Sequence, residues 1–131
     1  MQRSKIYKDC YQLMIHVFNR TKNFPKFYRP TIGRRLEEGS IELTQMIAQA
    51  LILSANKNEE YHLRLELFLK SSMMLDQFRV VLNLSKDLQI LNISGYEEMI
   101  VQSREIGREL GGMMKYLKNK KPSNINSKED K

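Results

Sequence analysis

The sequence has little of what most enzymes use for catalysis. In 131 residues, tryptophan is absent, cysteine occurs once and histidine twice. The single cysteine, Cys10, has no second cysteine with which to form an internal disulfide bond or a multi-cysteine zinc site. We therefore expect Cys10 to be an ordinary apolar residue of a protein in a reducing compartment. His16 and His62 lie on different predicted helices, and neither belongs to a recognisable catalytic triad or dyad. The residues therefore predict a protein that is not an enzyme.

Metal and cofactor motifs are equally sparse. Helical di-iron proteins need two Glu-x-x-His motifs and two further glutamates, whereas one such spacing, from Glu59 to His62, is present. Gly111-Gly112 lies inside a helical pattern and lacks the flanking residues of a phosphate-binding loop. We therefore expect no metal site and no cofactor.

Long apolar runs are also missing. No stretch of about 18 apolar residues occurs, which is the length a membrane-spanning helix needs. Residues 1–5 lead into an amphipathic segment and not into a signal-peptide core. We expect a soluble, cytoplasmic protein with no membrane partner.

Glycine and proline are scarce, at six and three residues, whereas Leu, Ile, Met, Glu, Lys and Arg are abundant. Apolar residues recur at steps of three and four, which is typical of amphipathic helices. The pattern predicts helices over residues 3–22, 26–55, 58–87 and 94–117. We expect an all-α, antiparallel up-down-up-down four-helix bundle in one domain, residues 1–118. The composition of residues 119–131 predicts a disordered basic tail.

Local signals set the predicted boundaries. Pro25 interrupts the first helix, and Pro30 suits the first turn of the second. Asn56 is expected to cap the third helix. Ser94 and Glu97 have the spacing of a capping box for the fourth.

Apolar side chains form two adjoining rows on the first helix. Ile6, Cys10, Leu13, Met14 and Val17 make one row, and Tyr7, Tyr11, Ile15 and Phe18 make the other. Together they predict a wide apolar face.

The net charge of +7 is unevenly distributed. Residues 1–35 hold nine Lys or Arg and one acid, whereas residues 36–117 hold eight and twelve. Basic clusters suit a polyanionic partner, because Lys and Arg facing phosphates release counterions. Candidate nucleic-acid-binding residues are Lys26, Arg29, Arg34, Arg35, Arg79, Lys86, Arg104 and Arg108. The alternatives are ion pairs within each helix, for instance with Glu105 or Glu109, or an acidic protein partner.

Two segments resemble a known family. Phe24-Pro25-Lys26 followed by Arg29, Thr31-Ile32-Gly33 and Arg35 resembles the "FPK..R.T(L/I)G.R" segment that opens the second helix of certain four-helix-bundle proteins. Residues 105–112 are similar to the "EIGR.LGGW" stretch near the end of the same proteins. The family includes the accessory variability determinant of diversity-generating retroelements. The resemblance spans nearly residues 5–118, and Met113 stands where the family's tryptophan usually sits.

The resemblance implies a barrel-shaped homopentamer that binds the element's reverse transcriptase and its template RNA or DNA. Such a protein supports mutagenic reverse transcription, and catalysis belongs to the reverse transcriptase. The eight candidate basic residues would then contact phosphates without reading bases. Two alternatives stay open: the branch of this fold encoded by intervening sequences in 23S ribosomal RNA genes, and a protein-protein adaptor.

Overall fold

The computed structural model describes residues 4–120, which form four α-helices and no strand. The helices are α1 (Lys5–Thr21), α2 (Arg34–Ile52), α3 (Asn58–Asp87) and α4 (Ile93–Asn119). A π-helical turn, Arg29–Gly33, leads directly into α2. The predicted all-α fold is confirmed for residues 4–120, and the four helices are consistent with a four-helix bundle. Most of the predicted basic tail, residues 121–131, lies outside the described residues.

The first helix, predicted over residues 3–22, runs from Lys5 to Thr21 and ends before Pro25 as expected. Ser4 caps α1, its hydroxyl oxygen accepting a hydrogen bond from the backbone N–H of Tyr7 at 3.3 Å. After α1 ends, the backbone N–H of Tyr28 donates to the carbonyl of Pro25 at 2.8 Å and closes a tight turn. Helical backbone resumes at Arg29 and not at residue 26, because this turn occupies residues 25–28.

The connection between α2 and α3 differs from the prediction. The second helix ends at Ile52 and not at residue 55, because Leu53 has an extended backbone with ψ of 145°. The prediction that Asn56 caps α3 is wrong: Lys57 occupies the N-cap position and makes no side-chain cap hydrogen bond. Instead, Glu60 reaches back to accept from the backbone N–H of Ser54 at 2.9 Å. The predicted range of the third helix, 58–87, is confirmed.

The fourth helix begins one residue earlier than predicted. Asn92 is its cap, and the Asn92 Oδ1 atom accepts a hydrogen bond from the backbone N–H of Gly95 at 2.7 Å. The predicted capping box is therefore wrong, since Ser94 already lies within the helix. The helix continues two residues past 117, so Asn119 is helical and does not belong to a disordered tail.

The core lies where the four helices meet. Each helix packs against its neighbours in sequence, and α1 also packs against α4. Leu13, Leu36, Phe68 and Met99, one from each helix, are fully buried. Buried hydroxyl groups donate back to carbonyls of the preceding turn, as Ser71 does to Leu67 at 2.8 Å. These short side chains keep their polar atoms satisfied inside the core.

Two helix faces carry apolar side chains that the described chain does not cover. On α1, the outer row places Tyr11, Ile15 and Phe18 in solvent, each about 40% exposed. On α3, Met73 and Val80 are exposed together with Leu69 and Leu84. Half of the wide apolar face expected on the first helix therefore lies outside the core. None of the helices within residues 4–120 is long and apolar enough to cross a membrane.

Candidate nucleic-acid interface

Positive charge concentrates where α1 connects to α2. From Cys10 to Leu36 the chain carries six Lys or Arg and no Asp or Glu. All six fall within residues 20–35, here called the basic connection. Four of the eight predicted residues belong to it and are exposed: Lys26, Arg29, Arg34 and Arg35.

Three of these four side chains have no hydrogen-bond or ion-pair partner within residues 4–120. Lys26, Arg34 and Arg35 make no side-chain hydrogen bond or ion pair with any residue between 4 and 120. Arg29 instead donates from Nε to the carbonyl of Phe24 at 2.9 Å. That bond uses one guanidinium donor, so the other N–H groups of Arg29 stay available for an anion.

Arg79 on α3 lies across the α3–α4 contact. Its Nε donates to the Ser103 hydroxyl at 3.0 Å, and its Nη2 donates to the Ser103 carbonyl at 2.8 Å. Nη1 pairs with Asp76 at 3.0 Å. A Cβ at Gly107 would approach Arg79 Nη2 to 2.9 Å, so the glycine makes room for the guanidinium. The structure thus gives Arg79 a helix-linking role, and its phosphate contact stays a prediction.

Lys86 and Arg108 also have partners. The Lys86 ammonium lies 4.5 Å from the centre of the Tyr96 ring and 3.9 Å from Asp87 Oδ1. Arg108 binds Glu105 on the same helix with N–O distances of 3.2 and 2.5 Å. For Arg108, the alternative of an ion pair within its own helix is confirmed.

Arg104 is the remaining predicted residue. It is exposed on α4 and makes no side-chain hydrogen bond or ion pair within the described part of the chain. It follows Ser103, the residue that binds Arg79, so the two arginines mark one region of the α3–α4 pair. The other four predicted residues share no side-chain contact within residues 4–120, so the basic connection is the one group of predicted residues that lies together there.

A cluster that the sequence did not reveal joins α1 to α4. The Lys5 ammonium lies 2.8 Å from Asp9 and 3.1 Å from both Glu105 and Glu109. The hydrogen bond to Asp9, and then those to Glu109 and Glu105, raise the pKa of Lys5. The three carboxylates lie within 4.8 Å of one another, and the Lys5 ammonium supplies their cation. Only the Lys5–Asp9 spacing of four residues signals this cluster in the sequence.

The carboxyl groups of the cluster have different proton affinities. Burial, together with a hydrogen bond to Asp9, raises the pKa of Glu109 to about 7. The same hydrogen bond lowers the pKa of Asp9. The hydrogen bond from Arg108, followed by that from Lys5, lowers the pKa of Glu105 to about 2. Of the three carboxyl groups, Glu109 therefore keeps its proton to the highest pH.

The cysteine and the histidines lie apart from any catalytic arrangement within residues 4–120. Cys10 is buried, and burial raises the pKa of its thiol to about 12, so the reactive thiolate does not form at neutral pH. His16 bonds to Gln12 at 3.0 Å and lies 3.8 Å from Glu98. His62 packs edge-on against the Tyr61 ring.

The chain matches no protein-family model and no curated protein.

Residues of the two segments that resemble the known family have packing roles in the structure. Phe24 is buried and lies 3.6 Å from the position of a Cβ at Gly33. Gly107 admits Arg79, and Met113 packs against the core where the resembling family has tryptophan.

Proposed function

We propose that this chain is the non-catalytic accessory protein of a diversity-generating retroelement. It binds the reverse transcriptase and its template RNA or DNA through basic surfaces and supports mutagenic reverse transcription in the cytoplasm. The resemblance of two segments suggests this role, and the observation that carries it is the basic connection. The connection holds six cations and no acid along the chain, and four of the six have no side-chain partner within residues 4–120, so it forms a surface suited to phosphates.

An antiparallel up-down-up-down arrangement is part of the proposal. Three contacts support it, each joining the beginning of one helix to the end of a neighbour. The Tyr61 hydroxyl, on α3, donates to the carbonyl of Leu117 near the end of α4 at 3.0 Å. Arg64 binds the carbonyl of Leu53 just after α2 at 2.7 Å. Lys5, which begins α1, reaches the second half of α4 at Glu109.

Self-assembly into a ring is also part of the proposal, and two exposed apolar faces support it. The α1 face and the α3 face lie on helices that are not principal packing partners, so they present two different surfaces. Two different surfaces that bind each other join subunits head to tail, and such contacts form a ring when the rotation between subunits closes. Lys8 and Lys22 flank the α1 face. The α3 face is flanked by Glu66, by Lys70 and by Asp76, which pairs with Arg79. The number of five subunits comes from the resemblance.

Nucleic-acid binding is tested by fluorescence anisotropy with single-stranded RNA over a series of salt concentrations. Wild-type affinity should fall steeply with salt, as counterion release requires. Arg34→Gln combined with Arg35→Gln should weaken binding and reduce the log-log salt slope by about 1.4, or roughly 0.7 per phosphate contact on single strands. Lys115→Gln combined with Lys118→Gln removes the same charge at two exposed positions near the end of α4 that have no side-chain partner within residues 4–120, and it is the matched control.

The outcomes separate the proposal from the alternatives. Equal losses for both double variants would mean that net charge alone, and not the basic connection, sets the affinity. No salt-dependent binding to RNA or DNA, together with tight binding to one protein, would favour a protein-protein adaptor. RNA binding without any association with a reverse transcriptase would favour the 23S intervening-sequence branch.

A further inference from the structure

Phe27 is the most exposed large apolar side chain between residues 4 and 120, with 80% of its surface accessible. It lies in the basic connection, directly after Lys26. Its one ring contact is with Tyr28, at a centroid distance of 5.1 Å and an interplanar angle of 83°. The neighbouring aromatic Phe24 is buried, so the turn points one phenylalanine inward and one outward.

The backbone around Phe27 is firmly held. Phe24 anchors the turn in the core, and the carbonyl of Phe24 accepts a hydrogen bond from Arg29 at 2.9 Å. The carbonyl of Tyr28 accepts from the backbone N–H of Gly33 at 3.0 Å, which ties the turn to the π-helical segment. Pro25 and Pro30 restrict the backbone on either side. The Phe27 ring is therefore presented to solvent by a preorganised loop.

The surroundings of the ring indicate what it binds. The six charged residues from Arg20 to Arg35 are all cations. Arg20 pairs with Glu98 at 3.6 Å, and the other five have no acidic partner within residues 4–120. Proteins that bind single-stranded nucleic acids combine aromatic rings, on which bases stack, with cations that follow the phosphates. Paired bases are stacked inside a duplex and do not offer their faces to such a ring.

We infer that Phe27 is a base-stacking residue that selects unpaired nucleotides, with Lys26, Arg34 and Arg35 contacting the adjacent phosphates. The inference rests on the proposed nucleic-acid binding and adds to it a ligand class, a single-stranded segment, and a residue that recognises it. The phosphate contacts give affinity for any nucleic acid, whereas the ring distinguishes single strands from duplexes.

The absence of tryptophan makes a direct spectroscopic test possible. Phe27→Trp introduces the only tryptophan of the chain at the inferred stacking position. Its fluorescence should be quenched when a single-stranded RNA 12-mer is added, and much less by the blunt duplex of the same sequence. Tyr116→Trp places a tryptophan at another exposed aromatic position, near the end of α4, and should show no comparable quenching.

Affinity measurements complete the test. Phe27→Ala should weaken binding of the single strand at least about fivefold, which is the lower end of what stacking on an aromatic ring contributes per base. Phe27→Tyr should keep the affinity, and duplex binding should change little. Unquenched fluorescence of the Phe27→Trp variant, or wild-type affinity of Phe27→Ala for single strands, would overturn the inference.

The design separates this inference from the proposed function. If Phe27→Ala binds RNA normally while the Arg34/Arg35 double variant does not, stacking is refuted and phosphate binding stands. If Phe27→Ala loses only the association with a reverse transcriptase, the ring is a protein contact and the inference is wrong. If the wild-type chain binds no nucleic acid, both proposals fail.

Discussion

Replacing Gly111 and Gly112 by alanine should stabilise the protein. Both glycines are exposed in the interior of α4, where glycine is about 1 kcal/mol less favourable than alanine. A Cβ at either position would meet no heavy atom within 4 Å, so the substitutions create no clash. The double variant should therefore gain about 2 kcal/mol in the free energy of unfolding. For a domain of this size, that gain raises Tm by about 8 °C.

The assay is urea unfolding followed by far-ultraviolet circular dichroism, with thermal unfolding alongside it. Protein concentration is held constant, because self-association changes apparent stability. Gly107→Ala is the matched control on the same helix. Its Cβ would lie 2.9 Å from Arg79 Nη2 and would displace the guanidinium from Ser103. The loss of these hydrogen bonds should largely cancel the gain in the free energy of unfolding that comes from the higher helix propensity of alanine. An unchanged or lower midpoint for the double variant, or an equal gain for Gly107→Ala, would refute the reasoning.

Three further predictions concern stability. Tyr61→Phe removes the buried hydrogen bond to the carbonyl of Leu117 and should cost about 1 kcal/mol, measured by urea unfolding; no loss would show that the bond is not formed. Gln89 has a φ of 61° directly after α3, so Gln89→Gly should gain about 0.5–1 kcal/mol by relieving the left-handed backbone, seen as a higher Tm. Glu109 has a pKa of about 7 in the fold against 4.5 ordinarily, so the folded state binds the extra proton between these values. The contribution of Glu109 to the free energy of unfolding should therefore fall as the pH rises from 4.5 to 7. Glu109→Gln should flatten this slope, and an unchanged slope would contradict the assignment.

The helices were predictable because their signals are local. The range 58–87 was predicted correctly, since a long apolar stripe and a polar connection define α3 within its own sequence. The start of α4 was less predictable because Asn92 and Ser94 both suit a cap. The choice depends on which side chain reaches a free backbone N–H, and in the fold Asn92 reaches that of Gly95. Periodicity also could not show which row of α1 faces the core, because both rows are apolar.

The sequence predicts which basic residues belong to the candidate site, but it does not predict which of them are free to bind a ligand. Sequence alone identified the basic connection, because its charges are close together along the chain. Whether a cation is free depends on contacts between distant residues, as the Arg79–Ser103 pair, 24 residues apart, illustrates. Lys5 and Glu105 are 100 residues apart and gave no signal in the sequence. Phe27 was not singled out either, because its exposure depends on the turn that buries Phe24.

The proposed role requires this chain to assemble with itself, with a reverse transcriptase and with template RNA. Light scattering tests this by measuring the mass of the purified protein alone and after adding a cognate reverse transcriptase and template RNA. We expect a mass of five chains that rises with both additions. A monomer or dimer whose mass is unchanged by either addition would show that the proposed role is wrong.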